Sequence, residues 1–225
     1  MPDNRGHLLP VYVVADESYS MNPYATELNS GMASLYEVLR AEPMVAAKVR
    51  LTVLGFSDNV HVRMPLADVR SEQGLPQLHI SGGTNYNAVF QDLLRRIPQD
   101  IGSLKNGGYQ VHRPAVFFLS DGQPANSRWR NPHNRLTDRG VTPAGPNIIA
   151  CGIGGEVKAE TILQVATQRD FAFISVRGTD LGAAIAEFFI ALTASVVQSG
   201  RSLTSAHPEL VVEKPDGFRL AIDVI

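Results

Sequence analysis

Three short stretches of this 225-residue chain carry oxygen ligands in a pattern that suits a metal ion. The first is Asp16-Glu17-Ser18-Tyr19-Ser20, the second Ser81-Gly82-Gly83-Thr84-Asn85, and the third Ser120-Asp121-Gly122. If the fold brings them together, Asp16 and Asp121 supply two carboxylates, and Ser18, Ser20 and Thr84 supply three hydroxyls. Carboxylate and hydroxyl oxygens are hard ligands, matched to Mg²⁺, Mn²⁺ or Ca²⁺ rather than to zinc. Two carboxylates balance one divalent charge, and hydroxyl and water can complete the shell. Gly82 and Gly83 give the backbone the freedom to bring Thr84 close to such an ion.

The elements that must hold these turns follow from apolar patterning. Leu9–Asp16, Val49–Phe56, Arg113–Gly122 and Asn147–Gly154 are continuous apolar runs, as in strands buried on both faces. Phe171–Val176 is a further strand. Val60–Leu66 alternates and returns through the Ser57–Asn59 turn as a hairpin. Between them lie helical patterns: Tyr24–Ala41, with Leu28, Met32, Leu35 and Leu39 on one face and Pro43 as its stop; a helix carrying Val89, Leu93, Leu94 and Ile97; Lys158–Thr167; and Leu181–Ser199. Strand–helix alternation with buried strands predicts an α/β fold: a doubly wound, mostly parallel central sheet with one antiparallel edge strand and helices on both faces. In such sheets ligands sit beyond the carboxyl ends of the strands, and all three candidate turns follow strands.

Placed in that context, the three turns resemble the metal-ion-dependent adhesion site (MIDAS) of von Willebrand factor A (VWA) domains, over about residues 8–199. The resemblance implies a Rossmann-like VWA fold in which Ser18, Ser20 and Thr84 offer oxygens to the metal. Asp16 and Asp121 would bind it directly or through water. It also implies an open coordination position for an Asp or Glu of a protein partner. Within the family, LPVYVVADESYSM, SGGTNYNAVF and RPAVFFLSDGQP are most similar to bacterial stand-alone VWA proteins of the tellurite-resistance-associated (TerY-like) type, which implies a stress-response setting. Glu17 and Tyr19 depart from the small residues common in the family's first loop, and the chain has no Cys-rich zinc module.

Composition narrows the alternatives. Lys and Arg total 20 against 22 Asp and Glu, so the formal charge is −2, and no basic field favours nucleic acid. The single cysteine, Cys151, excludes an internal disulfide and reads as a buried small hydrophobe. His7, His61, His79, His112, His133 and His207 show no ligand spacing. CGIGGE (Cys151–Glu156) lacks the third glycine of a dinucleotide fingerprint. Leu181–Val197 is apolar, but the spacing of Leu181, Ile185, Phe188, Leu192 and Val196 fits a core helix better than a membrane span. With no leader-like N-terminus, the expected compartment is the cytoplasm.

Just beyond Asp121, Arg128, Trp129 and Arg130 stand in a polar loop that reads either as a solvated surface loop or as a partner-binding rim, since exposed Trp and Arg dominate interfaces. Residues 1–199 form the expected domain. Residues 200–225 are expected as an appendage, a hairpin around KPDG, a docking segment or an added edge strand. The expected function is a non-enzymatic, metal-dependent protein-interaction module. The rival is a Mg²⁺-dependent phosphoryl-transfer or hydrolytic enzyme using Asp16. Against it stand the lack of a general acid and the lack of any lysine in the three turns.

Overall fold

A computed structural model describes residues 5–72, 74–203, 205 and 207–223. Eight strands, β1 (His7–Asp16), β2 (Val49–Phe56), β3 (Val60–Ala67), β4 (Gln110–Val111), β5 (Ala115–Ser120), β6 (Asn147–Gly152), β7 (Ala172–Ser175) and β8 (Phe218–Leu220), form one sheet. Its order is β3-β2-β1-β5-β6-β7-β8, with β4 beside the start of β1. Pairings of β1 with β2, β4 and β5, of β5 with β6 and of β6 with β7 are parallel. The hairpin strand β3 is antiparallel at one edge, as expected, and β8 is antiparallel at the other.

Alternation along the central strands explains the double winding. Leu9, Val11, Val13 and Ala15 of β1 enter one core, while Tyr12 and Val14 enter the other. Ala115, Phe117 and Leu119 of β5 divide from Val116 and Phe118 in the same way. Helices α1 (Ala25–Ala41), the one-turn α2 (Pro43–Ala46) and α6 (Leu181–Ser202) cover the first face. Helices α3 (Tyr86–Asn106), α4 (Arg130–Thr137) and α5 (Ala159–Val165) cover the second. Pro10, which has no N–H to give, sits where β1 changes neighbour, between its pairing with β4 at His7–Leu8 and with β5 from Val11.

α6 is long and apolar enough to cross a membrane by composition, yet more than half of that stretch is buried. Ile185, Phe188, Leu192 and Val196 face the core, and Phe189 packs so tightly on α1 that only glycine fits at Gly31.

Two expectations need correction. The polar stretch after Asp121 holds helix α4, whose buried Pro132, His133 and Leu136 face inward, with His133 packed on Phe90 of α3 and bonded to Val165 O of α5. The boundary at residue 199 falls inside α6, and among the described residues the following segment forms no hairpin of its own. Residues 209–213 run along α6 instead, tied by three helix serines: the Glu213 N–H donates to Ser195 Oγ (2.9 Å), that of Val211 to Ser199 Oγ (2.9 Å) and that of Glu209 to Ser202 Oγ (2.9 Å). The expected KPDG turn is present, with Gly217 in the left-handed region (φ 71°), and it delivers β8 onto β7. Ile225 and Val224 of the expected apolar run lie outside the described residues.

Candidate metal site

Parallel register sets the site. Ala15 pairs with Leu119, so β1 and β5 end side by side and place Asp16 next to Ser120. Ser120 Oγ donates to Asp16 Oδ2 at 2.5 Å, and the Ser18 N–H donates to Asp16 Oδ1 at 2.9 Å. Ser18 Oγ lies 3.0 Å from Ser20 Oγ, which donates to Asp121 Oδ1 at 2.8 Å. The second turn closes on the first through Tyr19 N–H to Gly82 O (3.0 Å) and Ser81 N–H to Glu17 O (2.7 Å). It closes on the third at Thr84, whose Oγ1 would be 2.9 Å from a Cβ built on Gly122. All five sequence-predicted ligands are therefore gathered at the carboxyl edge of the sheet.

The Thr84 turn is held from outside. Asp58, between β2 and β3, accepts the Gly83 N–H at 3.1 Å, and its carbonyl takes Asn85 Nδ2 at 2.9 Å. Asn85 Oδ1 in turn caps α3 through the Ala88 N–H (3.2 Å). Gly82, at φ 67°, carries the turn past the Asp58 carboxylate, where a side chain would collide.

Asp16, Ser18, Ser120 and Asp121 are buried, whereas Ser20 is exposed and Thr84 partly so, which leaves one side open to solvent. Among the described residues no side-chain cation pairs with Asp16 or Asp121. Burial pushes the Asp16 carboxyl up to about 6, against the pull of its bonds from Ser120 and Ser18, and the Asp121 charge adds to the rise. Burial likewise raises Asp121, opposed by the Ser20 hydroxyl. The donor set fits a divalent cation: two carboxylates without counter-charge, hydroxyls already turned toward them, and a glycine where a Cβ would crowd Thr84.

Sequence reasoning missed three supporting residues. Ser120 was visible as the serine of S-D-G, and Asp58 as a turn former. Glu17 is fully buried on the other side of the loop, bonded by Arg63 (Nε to Oε1 2.8 Å, Nη2 to Oε2 2.7 Å), by the His79 N–H (2.8 Å) and by His61 Nδ1 (3.1 Å). Its carboxylate occupies the space where Gly55 would carry a Cβ.

Of the three residues of the expected rim, two lie at the surface and one does not. Arg128 and Arg130 are exposed, but Trp129 is 1% exposed and packs on Tyr86 and Phe90, so it cannot serve as an exposed aromatic anchor. Its apolar ring fills the second core beneath α4, a role a polar sequence neighbourhood conceals. The exposed aromatic beside the metal loop is Tyr19, at 70%. Among the described residues no three His, Cys, Asp or Glu side chains gather into a metal cluster, and Cys151 is buried. His133 is buried against Val165 O (2.8 Å), and His7 meets His112 (2.8 Å) far along β1 from Asp16.

No protein-family model and no curated protein matches the sequence. Solved structures do match. Proximal thread matrix protein 1 of the mussel byssus, "with zinc occupied MIDAS motif", is 16% identical with a TM-score of 0.60, covering 86% of this chain and 48% of its own. A von Willebrand factor type A protein from Catenulispora acidiphila is 15% identical (TM-score 0.60), covering 85% and 43%. The pilus adhesin SpaC from Lactobacillus rhamnosus GG is 11% identical (TM-score 0.65), covering 85% and 30%. The chain thus spans about half or less of these structures' length. At such identities the likeness shows fold alone, and that fold is the Rossmann-like α/β fold of von Willebrand factor A domains.

Proposed function

We propose that this chain is a divalent-metal-dependent protein-interaction module whose MIDAS consists of Asp16, Ser18, Ser20, Thr84 and Asp121. The observation that carries the reading is the pair of buried carboxylates, Asp16 and Asp121, joined through hydroxyls and given no protein cation. The ion supplies the missing charge and, at its open position, takes an Asp or Glu of a protein partner. Mg²⁺ is the preferred ion by ligand hardness, with Mn²⁺ or Ca²⁺ as substitutes. The zinc-filled site of the mussel protein supports a divalent ion in this geometry, so zinc belongs in the test. The bacterial, tellurite-resistance-like setting rests on the motif resemblance alone.

Asp16 suits a ligand better than a nucleophile. It is fully buried, and both its oxygens already accept hydrogen bonds. Calorimetry with Mg²⁺, Mn²⁺, Ca²⁺ and Zn²⁺ tests the reading. Binding of one ion should stabilise the fold by about 2.7 kcal/mol at a hundredfold excess over Kd. Asp121→Ala should abolish both binding and stabilisation. Absence of binding by all four ions, or phosphatase turnover that Asp16→Asn abolishes, would overturn it.

A further inference from the structure

The turn after β5 leads into a cavity of about 320 Å³ lined by Gln123, Trp129, Arg130, Lys158 and Gln164, with Glu160 its one carboxylate. Two of these residues carry buried N–H groups with no acceptor among the described residues, Gln123 Nε2 and Trp129 Nε1. Buried donors are almost always paired in native proteins, so two in one cavity mark a place where an acceptor belongs. Thr161 Oγ1 donates to Gln123 Oε1 at 2.7 Å, and Tyr86 and Phe90 pack on the indole ring at centroid distances of 5.9 and 5.6 Å.

The charges around the cavity have the same bias. Arg130 spends Nε and Nη2 on the neutral Gln164 Oε1, at 3.0 and 2.8 Å, and Lys158 has no ion pair among the described residues. One residue connects the cavity to the metal site: Tyr86, in ring contact with the lining residue Trp129, donates its hydroxyl to Gly122 O at 3.0 Å, next to Asp121.

We propose that this cavity is a second docking subsite that takes a carboxylate of the same acidic partner segment whose other acid meets the metal. The inference rests on the metal-dependent reading above and adds the partner's chemistry: two acids, spaced to span both subsites. Arg130, exposed, bonded to the neutral Gln164 and lying over the Trp129 ring at 5.3 Å from its centroid, swings off the indole to admit the carboxylate, which then pairs with the guanidinium and Lys158 and accepts from Gln123 and Trp129.

The chain has a single tryptophan, so its indole N–H gives one resonance in ¹⁵N-labelled protein. The probes are the blocked peptide Glu-Gly-Gly-Glu and its monoacid control Glu-Gly-Gly-Gln, each titrated with and without Mg²⁺. The diacid should move the indole resonance and, with Mg²⁺, bind at least tenfold tighter than the monoacid, because the second contact is intramolecular. Arg130→Glu with Lys158→Glu should erase that difference while Mg²⁺ affinity stays unchanged. An indole resonance that ignores both peptides, with equal affinities for the two, would overturn the proposal and assign both donors to an enclosed water. If Mg²⁺ fails to bind but the diacid still moves the indole, the subsite stands and the metal reading falls.

Discussion

Asp16 and Glu17 are adjacent, both sealed from solvent, and the two sides of the loop treat them in opposite ways. On the hairpin side, Glu17 receives a bidentate guanidinium from Arg63, a histidine nitrogen and a backbone N–H. Even the facing strand gives way there, through Gly55. On the other side, Asp16 receives only a hydroxyl and an N–H, with the like charge of Asp121 nearby. Burying a charge is expensive unless it is paired. The protein meets that need internally for Glu17 and leaves it unmet for Asp16. One carboxylate is therefore a brace for the loop, and the other is the half of the candidate site that the proposed metal would neutralise.

The largest expected effect comes from breaking the brace. Arg63→Met leaves Glu17 buried without its cation, and loss of one partner from such a pair costs about 3–5 kcal/mol. Asp16→Asn removes the unpaired charge instead, so in metal-free protein above neutral pH it should leave stability unchanged or raise it. Urea unfolding in EDTA measures both. A neutral Arg63→Met, or equal losses in the two variants, would erase the contrast between the two sides.

Next in size is the dependence on pH. The Asp16 carboxyl lies near 6 in the folded protein and near its ordinary 3.8 in the unfolded chain. Between those values the folded state holds a proton that the unfolded state has released, so metal-free stability falls as pH rises through this window. The metal takes the ionised form, so its affinity should rise with pH and level off above about 6. At pH 5 it should be weaker by roughly tenfold, one pKa unit's worth. Mn²⁺ calorimetry at pH 5, 6 and 7.5 checks this, and a flat affinity across that range would show that Asp16 is already ionised without metal.

The same contrast explains what could be read from sequence. Asp16, Ser18, Ser20, Thr84 and Asp121 were legible because a buried parallel strand announces its end, and polar residues there have few purely structural uses. The division of β1 and β5 between two cores was legible as continuous apolar runs. Glu17 was not, because its partners Arg63 and His61 come from a strand whose register across β2 carries irregularities. Trp129 misled for a related reason: its neighbours Arg128 and Arg130 are exposed, and only the packing of α4 on Phe90 and Tyr86 reveals which way the ring points. Serines at 195, 199 and 202 gave no sign that residues 209–213 would run along α6, since one hydroxyl bond to a backbone N–H needs no distinctive spacing in the segment it captures.

The smallest effect separates a ligand from a brace most cleanly. Thr84 is partly exposed, and its hydroxyl has no hydrogen-bond partner among the described residues. Its turn is held by Asp58 and Asn85 rather than by its own side chain. Thr84→Ala should therefore shift metal-free stability by no more than about 0.5 kcal/mol. In the metal-bound state a water would replace one neutral oxygen, a loss of about 0.5–1.5 kcal/mol, or roughly three- to tenfold in affinity. Thr84→Ser keeps the oxygen and should restore most of it. Paired calorimetry and thermal unfolding of the two variants give the answer. A Thr84→Ala protein that binds metal like wild type would remove the second turn from the site, whereas one that loses stability without metal would make Thr84 another brace, on Glu17's side of the comparison.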